Sequence, residues 1–293
     1  MVRSADILFY IIFLGQIFLI SYYFPRQLHA RMKSVLESYP PSEYPRLYPS
    51  SVGFYSMRHS VFKMANRFIF ILGFILLFLI MFVIDHAGFA EDGYISEAFP
   101  AVYGMIQFVP LVFLDFLGFR QFKQMREENR SKTRSTELHR RRLFDYVSPT
   151  LVGMTILVYL GSIFFDFYMH DFIFQWGHDT VQRTLVLTGT SVFLLAFGAW
   201  LLYGRKQDPH QSFADRTKQI SANLKSMCFV SIAMGIFFMT TAADDIYELD
   251  FLDASLLSLY FQVIAFMSIG HILRSLRVED INFEVYKDEL GAI

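Results

Sequence analysis

Apolar residues along this chain neither alternate with polar ones nor keep to one helical stripe. They run in long blocks. Seven blocks stand out, at about 7–24, 68–84, 100–119, 150–168, 184–203, 226–243 and 254–273. A helix needs about 20 mainly apolar residues to cross a bilayer, and transmembrane strands would alternate. Phe68 to Ile84 carries no polar side chain at all. The third block is interrupted by Gln107, Pro110 and Asp115, the fifth by Thr188, Thr190 and Ser191. The pattern predicts an all-α, polytopic integral membrane bundle of about seven transmembrane helices, a single transmembrane domain over 1–293. The first block is read as a retained anchor rather than a signal peptide. Met1 to Asp6 has no net charge, and Pro25, Arg26, His29, Arg31 and Lys33 follow where a small-x-small cleavage site would stand.

Composition agrees with the blocks. Hydrophobic residues make up 54% and charged residues 18%, against about 25% charged in soluble domains. Mean hydropathy is +0.37. These values exclude a disordered chain, a collagen-like fibre and an ordinary soluble domain. Cys228 is the one cysteine, so an intrachain disulfide, a CxxC redox pair and a Cys-ligated metal centre are excluded as well.

Charge gives an orientation. The segments 25–67, 120–144, 204–225 and 274–293 hold 24 of the 26 Lys and Arg residues, and only Arg3 and Arg183 fall on the other side. The positive-inside rule then places the N-terminus outside and the C-terminus in the cytoplasm, which an odd number of spans requires. Segment 25–67 becomes a cytoplasmic loop and 274–293 a short cytoplasmic tail, too short to fold alone. The expected location is the cell (inner) membrane. Arg140, Arg141 and Arg142 directly precede the fourth block. Anionic lipid headgroups, not nucleic acid, are their expected partners. Residues 26–37 and 213–227 have an apolar helical face, so helices are expected to continue out of the bilayer or lie on its surface there.

Three groups of residues are candidates for chemistry. Gln107, Pro110 and Asp115, with Gln262 and His271, are polar or helix-breaking positions within spans, the kind that marks an ion or solute path. For Asp115, five residues before Arg120, pairing with a nearby cation is the alternative. The outer connections are acidic, and Asp85, His86, Asp166, His170, Asp244 and Asp245 offer carboxylate and imidazole ligands for a cation. The alternative is a solvated acidic rim. Helices two, four and six each end at an Asp, at 85, 166 and 244; a threefold repeat of helix pairs would bring the three together. Finally, Tyr39, Pro40, Pro41, Tyr44, Pro45, Tyr48 and Pro49 form a stiff Tyr-Pro-rich stretch suited to docking a partner or capping the bundle's cytoplasmic mouth.

No cofactor is called for. The last block lacks the lysine of a retinal protein, only His271 lies inside a span where a haem would need facing histidines, and no Walker A, GxGxxG or Gly-x-Ser-x-Gly sequence occurs. The expectation is a small transporter or channel for an ion or small solute. An accessory or assembly subunit of a membrane complex, without catalytic activity of its own, is the first alternative; a membrane-protein partner or a homo-oligomer is the expected association. A membrane enzyme acting on lipid is the second.

Overall fold

The computed structural model describes residues 4–84, 95–128, 141–176, 178–204 and 208–287. Among these residues there is no strand, and seven helices are long and apolar enough to cross a membrane. We label them α1 to α7. Helix α1 comprises Ser4–Phe18, a π-turn at Leu19–Tyr23, and Phe24–Ser38. Helix α2 is Val52–Leu79 with a π-turn at Ile80–Ile84. Helices α3 to α6 are Ala98–Glu128, Pro149–Met169, Asp179–Tyr203 and Phe213–Tyr247. Helix α7 comprises Asp253–Ala265, a π-turn at Phe266–Gly270, and His271–Ser275.

The outer surface of the bundle is apolar. Leu157, Phe164, Phe193 and Leu195 are 64–73% exposed. Water would not tolerate so continuous a patch on a monomer, whereas lipid does. The polar atoms turn inward, the reverse of a soluble fold.

Two of the expected surface helices are continuations. Helix α1 runs on to Ser38 and α6 begins at Phe213, each well beyond its apolar block. The π-turn in α1 precedes Pro25, which has no N–H and whose ring crowds the carbonyl one turn back. The Phe24 N–H bonds the Leu19 carbonyl instead, and the helix passes the proline without ending.

Helices consecutive in the chain alternate in direction. Tyr22 meets Phe70 and His29 meets His59 between α1 and α2. The Tyr103 hydroxyl donates to the Ile69 carbonyl, and Arg58 donates to Gln121, between α3 and α2. The bundle therefore has one basic end and one acidic end. Helices α5 and α7 finish at the basic end, where arginines satisfy carbonyls at their ends. Arg31 donates to the carbonyls of Leu273 and Leu276, and Arg141 to that of Leu202. These arginines thus complement the negative ends of two helix dipoles.

The helices form two groups. Helices α1, α2, α3 and α7 pack together, and so do α4, α5 and α6, with α6 and α7 joining the groups. Helices α4 and α6 are parallel and closely packed. A Cβ on Gly235 would lie 2.7 Å from Val158 Cγ1, and one on Gly161 would touch the Met239 methyl at 3.4 Å. Helix α2 packs on α1 and α3 instead, so α2, α4 and α6 do not surround one axis, and the threefold arrangement of helix pairs is not the arrangement found.

Candidate functional site

Inside the four-helix group, polar side chains form one directed chain of hydrogen bonds. The Ser258 hydroxyl donates to Gln16 Oε1 (2.6 Å), Gln16 Nε2 to Gln107 Oε1 (3.0 Å), and Gln107 Nε2 to the Ser21 hydroxyl (2.8 Å). Ser21 and Tyr103 share a bond of 3.2 Å, and Tyr103 ends the chain on the Ile69 carbonyl. Gln262 Nε2 bonds the carbonyls of Ile12 and Ser258. Gln16, Ser21, Tyr103, Gln107 and Ser258 are all at most 3% exposed. Each bond of this kind contributes about 0.5–1.5 kcal/mol net, and a broken member leaves the next one orphaned. Gln107 and Gln262 are thus engaged in holding helices together. Pro110 is buried beside them on α3.

The other polar positions within spans lie elsewhere. Asp115 is on the exposed face of α3. Its carboxylate is not part of the buried chain of hydrogen bonds. His271, near the end of α7, meets the Phe229 ring at 5.1 Å and Ser275 Oγ at 3.3 Å.

At the acidic end, Arg183 is the hub. Its Nε and Nη2 donate to the two oxygens of Asp166 (3.2 and 3.1 Å), and its Nη1 bonds Asp245. His170 completes the cluster, with Nδ1 3.1 Å from Asp166 Oδ1. Four of the residues expected as cation ligands were Asp166, His170, Asp244 and Asp245. Three of them surround the guanidinium of Arg183, which already supplies positive charge. Asp244, 3% exposed, stands apart from this cluster and faces Asp250 and Asp253. Asp85 and His86 lie outside the described residues.

The Tyr-Pro stretch folds against the tail. Tyr39 stacks on Phe283 with ring centres 3.8 Å apart, and Tyr44 sits edge-on to Tyr39 and bonds Glu284. Pro40 and Pro41 make the turn whose Pro40 carbonyl receives the Glu43 and Tyr44 N–H groups, and Pro45 opens a 3-10 turn. Tyr48 donates to the Tyr39 carbonyl and packs on Tyr55; burial pushes its phenol up to about 12. Pro49 leads into α2. The rings of Tyr39 and Tyr44 are thus engaged by tail residues more than two hundred positions away, and that of Tyr48 by Tyr55.

What the loop and tail enclose is a cavity of about 420 Å³ at the basic end. Its apolar walls come from Met32 of α1, Leu47 of the Tyr-Pro loop, Leu114, Phe122 and Met125 of α3, and Ile281 and Phe283 of the tail. Arg58, Lys218 and Arg277 are its basic side chains. Arg58 bonds Gln121 at 3.2 Å and lies 5.6 Å over the Tyr55 ring, yet its buried Nε has no acceptor. Two of the three lining acids are spent on structure. Asp208 accepts from the Tyr286 hydroxyl (2.5 Å) and from the N–H groups of His210 and Gln211. Asp215 accepts from the Ser212 hydroxyl and the Asn282 N–H, clamping the tail to α6. Burial and the neighbouring Asp208 carboxylate raise the Tyr286 phenol well above its usual range, so it stays a donor. Only Asp280 offers a carboxylate not engaged in such a bond, against three cations.

Arg58, Arg183, Lys218, Arg277, Asp208 and Tyr286 are absent from the residues singled out by sequence. For Arg183 a signal existed, a lone cation among acids. The others looked like ordinary members of a basic face. No family model, curated protein or solved structure matches the chain.

Proposed function

We propose that this multi-pass membrane protein is a carrier for a small amphipathic anion, one with a phosphate or carboxylate head and a single medium-length apolar chain. The observation that carries the reading is the cavity at the basic end. It combines apolar walls with Arg58, whose buried Nε lacks an acceptor, and with Lys218 and Arg277. A buried donor without a partner is costly, and an anionic oxygen would relieve it. The volume falls in the range of small-molecule sites. Its position supports movement as well as binding: α3 lines it from one helix group and α6 from the other. A cavity between two groups is where a rocking motion would open and close access.

The test is uptake of decyl phosphate by liposomes containing the purified protein alone. Saturable uptake, lost in Arg58→Gln while folding is retained, is the expected result. A protein that neither binds nor moves decyl phosphate, and that purifies in a defined complex with another membrane protein, would replace this reading with the accessory-subunit one.

A further inference from the structure

The acidic end holds a second feature independent of the cavity. Helix α6 stops when Glu248 enters the left-handed region (φ 51°), and the N–H groups of Glu248 and Leu249 both return to the Asp244 carbonyl. This turn folds the chain back so that the 3-10 turn Asp250–Leu252 and the start of α7 lie over the end of α6. Asp250 and Asp253, three positions apart, then meet Asp244, with one carboxylate oxygen of each within 4.8 Å of the others. Asp244 is 3% exposed, and its Oδ1 has no hydrogen-bond donor.

Three observations make this set unlike an ordinary acidic rim. The first is the orphaned oxygen on a nearly fully buried carboxylate, which elsewhere in the protein finds a partner: Asp166 has Arg183 at 3.1 Å. The second is the lack of any Lys, Arg or His within ion-pairing distance of Asp244, Asp250 or Asp253 among the described residues; Glu97 adds a further negative charge nearby. The third is the end of α6, whose last carbonyls add the negative pole of a long helix. All three deficits have one remedy.

We infer that Asp244, Asp250 and Asp253 bind a hard divalent cation, with Ca²⁺ the best match. The donors are all oxygen, which selects hard ions over soft ones. Calcium takes oxygens at 2.3–2.6 Å in flexible geometry, so ligands on opposite sides of one ion stand up to about 5 Å apart. The three oxygens fit within that span as they stand. Magnesium, at 2.0–2.1 Å, needs a tighter octahedron. Water completes the shell on the open side, where Asp250 is exposed. The ion would tie the end of α6 to the start of α7, the junction that links the two helix groups.

The experiment is calcium titration of the full-length protein in detergent after chelation, by calorimetry and by thermal unfolding at matched ionic strength. One saturable site and a melting point raised by several degrees in millimolar Ca²⁺ are expected, with magnesium at least tenfold weaker. Asp253→Asn and Asp250→Asn, chosen because buried Asp244 is the position where substitution endangers folding, should each weaken binding at least tenfold. Absence of calcium binding in the natural chain would overturn the inference, as would binding unchanged in both variants. So would an Asp253→Asn protein that melts higher than the natural one while neither responds to calcium, since that is the behaviour of two carboxyls sharing a proton.

Discussion

Replacing Arg183 with glutamine should cost more stability than any other single charge removal at the acidic end. Asp166 is 4% exposed at its side chain and takes two guanidinium bonds, the shorter 3.1 Å. At an effective dielectric constant near 20, charges that far apart attract by about 5 kcal/mol before desolvation is counted. Removing one partner of a buried pair typically costs about 3–5 kcal/mol, because the other charge stays behind in a poor solvent. The Asp245 side chain is 40% exposed, so its share is discounted to at most about 1 kcal/mol. The expected loss is roughly 3 kcal/mol, or about 6–12 °C in melting temperature at the usual conversion for a chain of this order. Thermal unfolding in detergent, followed by tryptophan fluorescence, reads this directly. Adding Asp166→Asn to Arg183→Gln should restore at least half of the loss, since the carboxylate left unpaired is then gone. A single variant that melts within 2 °C of the natural chain, or a double variant that is additively worse, would refute the reasoning.

Other substitutions probe the remaining parts. Gly73→Ala should destabilise by about 1–3 kcal/mol in the same unfolding assay, because the new Cβ would run into the Tyr103 hydroxyl, where the polar chain ends. Gln107→Leu should cost a similar amount, about 1–3 kcal/mol, by stranding the Gln16 amide and the Ser21 hydroxyl; unchanged melting would mean the chain does not hold the helices. Docking of the tail should weaken in alkali. The Tyr286 phenol ionises near 10 in an unfolded chain and higher when docked. Its contribution is therefore fully present below about pH 10 and falls as pH rises toward the folded value. Limited proteolysis at residues 278–287 should be level from pH 8 to about pH 9.5 and accelerate above about pH 10, and Tyr286→Phe should cleave faster at pH 8 with a flatter dependence.

The membrane class and the helix count were legible because block length is a local property, set by the thickness of hydrocarbon to be crossed. The continuations of α1 and α6 were legible too, since their apolar faces recur at helical spacing. The cavity was not. Leu47, Arg58, Lys218 and Ile281 come from four separate parts of the chain, and nothing in any one of them announces the others. Gln107 shows how an intramembrane polar residue misleads when taken alone. A lone amide in hydrocarbon implies a partner, and whether the partner is a solute or Gln16 depends on packing. Arg183 offered the opposite lesson, because a solitary cation on an acidic face has few places to go except a carboxylate. The Tyr-Pro stretch packs on the tail through Tyr39 and Phe283, a contact across more than two hundred positions that no local pattern announces.

Occupancy of the cavity by an anion is the claim on which the functional reading stands, and one labelling measurement reaches it. Gly118 lines the cavity, and a Cβ there would meet nothing within 4 Å. In a Cys228→Ser background, Gly118→Cys supplies a single thiol, since Cys228 is the one native cysteine. Its rate of reaction with a small methanethiosulfonate reagent reports whether the cavity is filled. Decyl phosphate should slow labelling at least tenfold, neutral decanol should not, and the protection should vanish with Arg58→Gln. A rate indifferent to decyl phosphate, or slowed equally by decanol, would contradict the account.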